Sequence, residues 1–347
     1  MIISFNDPIL ITGSGGFIGG RVVEALLQRG FTNLRCLVRP SSNLQTLAST
    51  LSRHPAADVE VIRGNLQSLA DCRRMVRNVA LIYHLAAGRG EKSYPDAFMN
   101  SVVTTRNLLE AVVQAGTIRR FVNVSSFVVY ATSTLRRGDR LDESCPLETR
   151  AHLTGEAYAY AKVKQEELVS EYAKAYRLPC TIVRPGVVYG PGNKGITGRV
   201  GLGGFGIFLH LGGANRIPLS HVRNCADAIV LAGLQAGVDG QAFNIVDDEL
   251  PTSRQFLRMY KRNVARFRSI YVPHPVSYLL CLLWEKYSRW SQGQLPPTYN
   301  RQRWSVYWKG NTYSNEKIKR VLGWKPAVPF KEAAMSYFEY QRQAGRS

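Results

Sequence analysis

The sequence lacks several patterns that mark other classes of protein. Its six cysteines include no C-x-x-C pair, so neither a zinc site nor a disulfide framework is indicated. Unpaired thiols are typical of a reducing compartment, and we expect a cytoplasmic protein that binds no metal. No low-complexity tract and no short-period repeat occurs in the 347 residues, which excludes a fibrous or solenoid architecture.

Long apolar runs and a targeting pattern are also missing. The longest uninterrupted apolar stretch near the C-terminus, Tyr278 to Trp284, is far shorter than the roughly 18 residues that a transmembrane helix requires. The first residues carry no basic cluster, and their apolar run leads directly into a glycine-rich turn. We therefore interpret them as a first strand and not as a signal peptide. We expect no transmembrane span, and peripheral contact with a membrane stays open.

Acidic residues are scarce relative to basic ones. The chain has 45 Lys and Arg against 25 Asp and Glu, a net charge of +20. From Thr252 to Ser347 there are 18 Lys and Arg against 4 Asp and Glu, so this segment supplies +14 of the total. The excess indicates either a solvated basic surface or an anionic partner, such as a phosphorylated ligand or an acidic lipid surface. No nucleic-acid-binding signature accompanies the charge, so we expect no nucleic acid partner.

Short β-rich runs alternate with helical stretches from the start to about residue 190. The predicted strands are Pro8–Thr12, Asn33–Val38, Val59–Arg63, Ala80–Leu85, Arg120–Ser125 and Cys180–Arg184. The predicted helices between them include Gly19–Arg29, Leu69–Arg77, Tyr94–Ala115 and Gly155–Tyr176. Because the strands are almost continuously apolar, the pattern predicts an α/β fold with a Rossmann-type, doubly wound parallel sheet.

The regular alternation ends beyond residue 190. A glycine-dense loop over Gly195–Gly213 follows, and Tyr313–Gln343 has the pattern of two closing helices. We predict a Rossmann domain over residues 1–192 and a smaller C-terminal α/β substrate lobe over residues 193–347. Residues from about 220 to 247 are expected to return to the first domain.

The first predicted strand ends in a glycine-rich turn that opens a helix. Glycine is needed where the chain turns tightly, where backbone approaches a pyrophosphate, and where helix meets strand. The helix N-terminus adds free N–H groups and the positive end of its dipole. A structural turn can also be glycine-rich, but the position between strand and helix favours a cofactor loop. The predicted cofactor-binding residues here are Thr12, Gly13, Gly16, Phe17, Ile18 and Gly19.

The end of the second predicted strand carries Arg39 and Ser41 and no carboxylate. An acidic residue at this point accepts a hydrogen bond from the ribose 2′-hydroxyl of NAD, whereas an arginine pairs with the 2′-phosphate of NADP. We therefore predict NADP as the cofactor, with NAD as the alternative. Arg39 could also simply end its strand in solvent.

Tyr158 and Lys162 lie four residues apart and share one face of a predicted helix. A lysine ammonium beside a phenol lowers the pKa of the phenol from about 10 toward neutral pH. Such a tyrosine can move a proton as hydride joins or leaves the neighbouring carbon. Ser126, at the carboxyl end of its strand, can hydrogen-bond the same substrate oxygen. Tyr160 and Lys164 form a second pair with the same spacing.

Taken in order, the motifs resemble those of the extended short-chain dehydrogenases/reductases, also called the NAD-dependent epimerase/dehydratase group. They are Thr12–Gly19, His84–Ala87, the stretch from Asn100, Val124–Ser126 with Tyr130, Asp142–Leu147, Tyr158 with Lys162, Arg184–Gly192, His221–Val222 and Leu322–Pro326. The turn Val38–Ser41 and the stretch Asn215–Val222 are most similar to the branch of 3β-hydroxysteroid dehydrogenases and dihydroflavonol reductases.

The resemblance implies specific roles for several residues. It implies that Ser126, Tyr158 and Lys162 are catalytic, with Lys162 also touching the nicotinamide ribose. It favours this pair over the second one, because Ala161 precedes Lys162 and Glu166 follows it. Asn100 by analogy joins the catalytic site, although an asparagine near a helix start can also be a plain cap.

The resemblance also implies further cofactor contacts and an assembly. The additional cofactor-binding residues are Asn65, Leu66, Leu85, Ala86, Ala87 and Pro185, besides Tyr158 and Lys162. Asn65 stands where the family usually has an aspartate that meets the adenine. Proteins of the family commonly dimerise through the helices equivalent to Tyr94–Ala115 and Gly155–Tyr176, so we expect a homodimer.

Three functions remain open for a small-molecule substrate. Sugar-nucleotide dehydratases resemble one another in an Asp-Glu pair after the catalytic Ser or Thr, and Phe127-Val128 stands here instead. The first function is an oxidoreductase acting on a secondary alcohol or ketone of a hydrophobic or sugar-like substrate, favoured by a small margin. The second is a nucleotide-sugar epimerase, which the basic C-terminal lobe supports. The third is a non-catalytic NADP-binding sensor, which the retained Ser126, Tyr158 and Lys162 argue against.

The apolar stretch Pro275–Trp284 allows more than one interpretation. It could line an apolar substrate pocket, or it could rest on a membrane face. A buried helix is the plainest explanation for such a run in a folded protein.

Overall fold

The computed structural model describes residues 1–88, 93–154, 156–204, 206–292, 294–295 and 298–345. Its strands are β1 (Ile9–Thr12), β2 (Leu34–Val38), β3 (Val59–Arg63), β4 (Leu81–His84), β5 (Arg120–Val124), β6 (Arg140–Leu141), β7 (Cys180–Pro185), β8 (Val187–Tyr189), β9 (Gly201–Gly204), β10 (Ile207–His210), β11 (Leu219–His221), β12 (Ala242–Ile245), β13 (Ser269–Tyr271) and β14 (Thr312–Tyr313). Its α-helices are α1 (Phe17–Gln28), α2 (Gln45–Leu51), α3 (Leu69–Met75), α4 (Tyr94–Phe98), α5 (Thr104–Ala115), α6 (Ala157–Tyr176), α7 (Val222–Leu234), α8 (Ser253–Asn263), α9 (His274–Trp290), α10 (Arg301–Tyr307), α11 (Glu316–Leu322) and α12 (Phe330–Ala344).

The central sheet has seven parallel strands in the order β3-β2-β1-β4-β5-β7-β12. The direction of winding reverses between β1 and β4, which leaves a crevice at their carboxyl ends. Doubly wound sheets bind their ligands in such a crevice. The predicted α/β fold with a Rossmann-type parallel sheet is confirmed.

Helices cover both faces of this sheet, so its strands are buried on both sides. Ile9 and Ile11 of β1 belong to one apolar core together with Leu26 of α1. Leu10, between them, belongs to the opposite core together with Leu108 of α5. Successive side chains of a strand point to opposite faces, and burying each large aliphatic side chain contributes roughly 1.5–3 kcal/mol. This burial explains why the strands are apolar without alternation.

The chain beyond β7 both extends the sheet and builds a second layer. Helix α7 packs against α1, and β12 then pairs with β7 at the edge of the sheet. A further core forms around Phe256, Tyr337 and Phe338, which lie on α8 and α12. A separate three-stranded sheet contains β9, β10 and β13. Phe256 of α8 and Tyr337 of α12 line the cavity at the carboxyl edge of the large sheet.

One predicted helix is interrupted. The stretch Tyr94–Ala115 consists of α4, a π-helical segment over Met99–Val103, and α5. A π-helical turn inserts an extra residue and turns its side chains relative to a regular helix, and such turns are frequent at functional sites. The helix predicted to begin at Gly155 begins as α6 at Ala157, and Gly155 itself lies outside the described residues.

The expectation that Pro275–Trp284 forms a buried helix is wrong. In α9 the buried side chains are small or polar, whereas Leu279, Leu280 and Leu283 are 52%, 54% and 53% exposed. The helix packs through its polar face, on which Trp304 Nε1 donates to Ser277 Oγ at 2.9 Å. None of the helices in the described part of the chain is long and apolar enough to cross a membrane.

All six cysteines are free, and five of them are buried. Burial raises the pKa of the Cys36 and Cys72 thiols to about 12. They therefore pack as small apolar side chains.

Candidate active site

A cavity of about 870 Å³ lies at the carboxyl edge of the central sheet. The cavity opens where the strand order reverses, since Thr12 and His84 are register partners at the ends of β1 and β4. Sixteen of the predicted site residues line it: Gly13, Gly16, Phe17, Ile18, Gly19, Arg39, Asn65, Leu66, Leu85, Ala86, Ala87, Asn100, Ser126, Tyr158, Lys162 and Pro185. The cavity thus brings together motifs that are separated by more than a hundred residues in the sequence.

Two glycines of the turn after β1, Gly13 and Gly19, do not tolerate side chains. Gly13 has a φ of +72°, and a Cβ there would lie 3.0 Å from the Ala86 amide nitrogen. A Cβ on Gly19 would lie 2.1 Å from the carbonyl oxygen of Gly13. A dinucleotide-binding turn needs glycine at these same points, for the tight bend and for the contact of helix with strand. The residues present therefore fit the pyrophosphate of a pyridine dinucleotide.

Helix α1 directs its N-terminus at the cavity. Its cap residue is Gly16, which has no side chain to accept from the first N–H groups, and its first turn holds no acidic residue. Phe17, Ile18 and Gly19 line the cavity beside it. Such an end offers N–H donors and a positive dipole to an anion.

Two predicted cofactor residues do not line the cavity. The Thr12 hydroxyl is buried, lies 2.8 Å from His84 Nδ1 and accepts from the Ala86 amide at 3.2 Å. Thr12 therefore joins the loops after β1 and β4. Ser41 is exposed and its neighbour Ser42 lines the cavity in its place.

The outer end of the cavity is positively charged. Arg39 lines it with Ser42 and Asn43, in a turn where the Ser42 amide donates to the Arg39 carbonyl at 3.0 Å. Among the described residues that line the cavity there is no Asp or Glu. A wall of this kind attracts phosphate groups and offers no carboxylate to a ribose 2′-hydroxyl.

Asn65 and Asn100 are connected through Gln67. Asn65 Oδ1 accepts from the Gln67 amide at 3.0 Å, and Gln67 Nε2 donates to Asn100 Oδ1 at 3.3 Å. Asn100 is not a helix cap, because it lies inside the π-helical segment and the cap of α4 is Ser93. Asn100 lines the cavity from this π-helical segment, and such segments are frequent at functional sites.

Ser126 and Tyr158 meet the cavity from different elements. Ser126 follows β5 and caps a short 3₁₀ turn over Phe127–Val129, accepting from the Val128 amide at 3.4 Å. Tyr158 lies in the first turn of α6. Both line the cavity together with Lys162, one turn further along α6.

Lys162 is buried and held in place by two acceptors. Its Nζ donates to the Val124 carbonyl and to Gln165 Oε1, each at 2.8 Å. Burial lowers the pKa of the Lys162 ammonium to about 8, and the Glu166 carboxylate opposes this shift. Lys162 can therefore change charge near neutral pH, unlike an exposed lysine.

Gln165 is a residue of the site that the sequence analysis missed. Besides accepting from Lys162, it donates through Nε2 to Thr105 Oγ1 at 2.8 Å and lies 3.3 Å from His84 Nε2. Burial, together with the Lys162 charge, lowers the pKa of His84 to about 3, so its ring is neutral. The hydrogen bonds continue from His84 to Thr12 and tie Lys162 to β1 and β4. The only feature of the sequence that points to this role is that Gln165 follows Lys162 by three residues, which places the two side chains on one face of a helix.

The second tyrosine and lysine pair lies outside the cavity. The Tyr160 ring packs 5.2 Å from the Tyr94 ring, and Lys164 Nζ donates to Glu167 Oε2 at 2.7 Å. Neither Tyr160 nor Lys164 lines the cavity.

A buried ion pair supports the floor of the cavity. Arg184 Nε donates to Glu166 at 3.1 Å, and Arg184 Nη1 donates to the Tyr130 hydroxyl at 2.9 Å. Tyr130 in turn donates to Asn244 Oδ1 at 2.7 Å, and the Ser125 hydroxyl donates to Glu166. A buried charge needs such partners, because an unpaired one is strongly destabilising. These bonds connect the segment after β5 with α6, β7 and β12, which carry or flank the site.

The part of the cavity next to the C-terminal elements is mainly apolar and aromatic. Its lining residues include Val187, Val188, Tyr189, Ile196, Leu219, Phe256, Tyr307 and Tyr337. Lys194 and Arg199 are the basic side chains there, and Arg199 Nη1 is occupied by the Val306 carbonyl at 2.6 Å. Among the described residues from 252 onward, no Lys or Arg lines the cavity. The positive charge of the C-terminal segment therefore lies on other surfaces.

Comparison with known proteins agrees with this arrangement. Mouse short-chain dehydrogenase/reductase family 42E member 1 is 27% identical over 92% of this chain and 84% of that protein. The 3-beta-hydroxysteroid dehydrogenase of Mycolicibacterium neoaurum is 27% identical over 96% and 90%. The crystal structure of UDP-glucuronic acid 4-epimerase from Bacillus cereus in complex with NAD has the same fold, with a TM-score of 0.72 at 18% identity over 97% of this chain and 99% of that one.

The family model named NAD dependent epimerase/dehydratase family matches residues 9–246. That range contains β1 to β12 and every cavity-lining motif from the glycine turn to Leu219. The chain therefore belongs to the NAD dependent epimerase/dehydratase family, as its motifs predicted.

Proposed function

We propose that this protein is an NAD(P)-dependent oxidoreductase that transfers a hydride to or from a secondary alcohol or ketone. The observation that carries the proposal is a single cavity lined by the glycine turn and by Ser126, Tyr158 and Lys162. The apolar and aromatic lining beyond these residues favours a hydrophobic substrate. A relative of similar length carries the name 3-beta-hydroxysteroid dehydrogenase.

The protein residues divide the work of binding and proton transfer. The cofactor, when bound, supplies or accepts the hydride. The glycine turn and the N-terminus of α1 hold its pyrophosphate, and Lys162 holds its nicotinamide ribose. The Tyr158 hydroxyl passes a proton to or from the substrate oxygen, which Ser126 also hydrogen-bonds. The Lys162 ammonium favours the ionised phenol, so Tyr158 can work in both directions.

We propose NADP as the cofactor, with NAD as the alternative. The support is Arg39 at the outer end of a cavity that has no Asp or Glu in its described lining. A guanidinium pairs with a 2′-phosphate through charge-assisted hydrogen bonds. Ser42 lines the cavity beside Arg39. We therefore propose Ser42 for the cofactor contact that the sequence predicted for Ser41.

A nucleotide-sugar epimerase is the second candidate. Lys194 and Arg199 lie in the substrate part of the cavity and are suited to a diphosphate. The feature of the sequence that favoured an epimerase was the basic C-terminal segment, but none of the described Lys or Arg residues of that segment lines the cavity. The oxidoreductase is therefore the better supported of the two.

A substrate screen separates the two candidates. Purified protein is mixed with NADPH or NADH and with hydrophobic ketones or, separately, UDP-sugars, while the nicotinamide absorbance is followed. We expect loss of NADPH absorbance with a ketone. Interconversion of UDP-sugars without net oxidation would establish the epimerase instead, and no binding of either dinucleotide would remove both.

We also propose that residue 192 is the boundary between the Rossmann domain and the substrate lobe of each chain. We further propose that the protein is a homodimer and that it is located in the cytoplasm. Helices α5 and α6 pack side by side, and Tyr176 at the end of α6 is exposed. Free cysteines are what a reducing compartment allows. Sedimentation velocity of wild type and of Tyr176→Glu tests the dimer, since a charge in the contact should separate the subunits.

A further inference from the structure

Helix α9 is amphipathic, but its polar side faces the protein. The buried positions are His274, Ser277, Cys281, Glu285 and Ser288, which recur at the spacing of one helical face. The outer face is formed by residues with the same periodicity that are each 46–76% exposed: Val276, Leu279, Leu280, Leu283, Tyr287 and Trp290. We call these six residues the apolar face of α9. A core helix would have the opposite orientation.

Aromatic rings lie at one end of this face. Tyr287 and Trp290 stack with ring centroids 5.6 Å apart, and Trp290 is 76% exposed. Tyrosine and tryptophan are enriched where protein meets the headgroup layer of a bilayer, because one end of each ring is apolar and the other can hydrogen-bond.

Apolar residues continue on the sheet that precedes α9. Leu209 of β10 and Ile270 of β13 are cross-strand partners, and both are exposed, as is Ile207. Strand β13 ends only three residues before α9 begins. Exposed apolar side chains therefore occur on the strand just before α9 as well as on the helix, and exposed apolar patches mark interaction sites.

Helix α9 carries two exposed cations in addition to its apolar face, and its one carboxylate is turned inward. Lys286 and Arg289 are exposed on α9, and Arg268 is exposed just before β13. Glu285 is buried and pairs with both Arg289 and Arg301, so one negative charge is shared by two positive ones. The segment from residue 252 carries +14 in total, and none of its described Lys or Arg residues lines the cavity.

We infer that the apolar face of α9 docks this protein on a bilayer that contains anionic lipids. An interfacial helix with leucine and tryptophan on one side and cations at its border binds through apolar burial and attraction to anionic headgroups. A second copy of this chain is the less suitable occupant, because face-to-face contact would bring two strongly basic surfaces together. The inference does not depend on the proposed hydride chemistry.

Vesicle flotation with the full-length protein tests this inference. The probes are vesicles of phosphatidylcholine alone and of an equal mixture of phosphatidylcholine and phosphatidylglycerol. We expect binding to the mixed vesicles, weaker binding to the neutral ones, and a decrease when salt is added. The double variant Leu280→Glu with Leu283→Glu should bind the mixed vesicles at least on the order of tenfold more weakly.

A matched control keeps the test independent of folding. Met335 on α12 is 49% exposed, a fraction similar to those of Leu280 and Leu283. Met335→Glu therefore adds charge at a comparably exposed apolar site that is not on α9. All three proteins should have the same thermal midpoint, since the changed side chains are solvent-exposed. No flotation of wild type, equal binding to both vesicle types, or full binding of the double variant would overturn the inference. A dimer that only the double variant dissociates, without vesicle binding, would also overturn it in favour of a second copy.

Discussion

Helices α1 and α9 both carry apolar residues along one face, and they turn that face in opposite directions. In α1, Val22, Val23 and Leu26 are buried against the central sheet. In α9, Leu279 and Leu283 point to solvent while small and polar residues pack inward. Periodicity shows which residues share a face, but the neighbouring elements decide which face is buried. For α1 the adjacent strand supplies an apolar partner surface, and for α9 the adjacent α10 supplies hydrogen-bonding groups.

The carboxyl edge of the central sheet, where α1 begins, and the C-terminal segment that contains α9 also differ in where their charged residues lie. At the carboxyl edge of the sheet, the buried Lys162 lies within the cavity wall. In the segment from residue 252, none of the described Lys and Arg residues lines the cavity. This division predicts that turnover responds to substitutions at the sheet edge and that surface binding responds to substitutions on α9.

The largest effect is expected from Tyr158→Phe. Loss of the phenol hydroxyl removes the proton donor, and a positioned general acid contributes about 10²–10⁴-fold to rate. Turnover should fall by that factor while NADPH affinity, measured by fluorescence titration, stays close to wild type. Tyr160→Phe is the matched control, since Tyr160 lies two residues away and packs on Tyr94 outside the cavity. Equal losses in the two variants would contradict the assignment.

Gly19→Ala should have the next largest effect. The added Cβ would meet the Gly13 carbonyl oxygen at 2.1 Å, so backbone must move, at a cost of roughly 1–3 kcal/mol. We expect a lower thermal midpoint and a loss of dinucleotide binding. Gly204→Ala, at the end of β9, is the control from the other region, because nothing lies within 4 Å of its Cβ position. If both variants bind NADPH normally, the tight packing of the turn is not needed for the cofactor.

Much of the sheet and its edge could be predicted from the sequence for a physical reason. Strands buried on both faces are continuously apolar, and a pyrophosphate turn has few alternatives to glycine. The boundaries of β3 agree with the predicted Val59–Arg63, and those of β7 differ by the single residue Pro185. These features depend on local sequence, so a single chain reveals them.

The rest depends on which residues meet in space. Gln165 could not be recognised, because its role comes from His84 and Thr105, which lie far from it in the sequence. The π turn at Asn100 and the outward face of α9 were missed for the same kind of reason. A helical pattern specifies neither an inserted residue nor the polarity of the surface against which the helix packs.

Arg39→Asp should change cofactor preference with an intermediate effect. A charge-assisted pair with the 2′-phosphate is replaced by repulsion, so NADPH affinity should fall roughly tenfold to a hundredfold. NADH affinity should be unchanged or improved, because the aspartate can accept from a ribose hydroxyl. Arg258→Gln, an exposed cation on α8 in the basic segment, is the control. A uniform loss for both dinucleotides would show that Arg39 does not read the 2′ position.

Gln165→Leu is the substitution for which we expect the smallest effect on turnover. Gln165 Oε1 accepts from the Lys162 ammonium and so favours its charged form. Lys162 has a pKa of about 8, so wild-type turnover should decline above that pH as the charge beside Tyr158 is lost. Without the acceptor, the pKa of Lys162 falls further, and the alkaline limb of the pH profile should move to lower pH. The maximal rate should fall by about tenfold or less.

Gln165→Glu provides the opposite change at the same position. A carboxylate beside Lys162 favours its ammonium more than an amide does, so the alkaline limb should move to higher pH. Opposite shifts in the two variants cannot arise from a packing defect, because both variants disturb the bonds to Thr105 and His84 alike. If both limbs stay at the wild-type pH, Gln165 supports the helix without positioning the charge of Lys162. Opposite shifts would establish that the buried amide of Gln165 sets the pKa of Lys162, and with it the pH above which turnover declines.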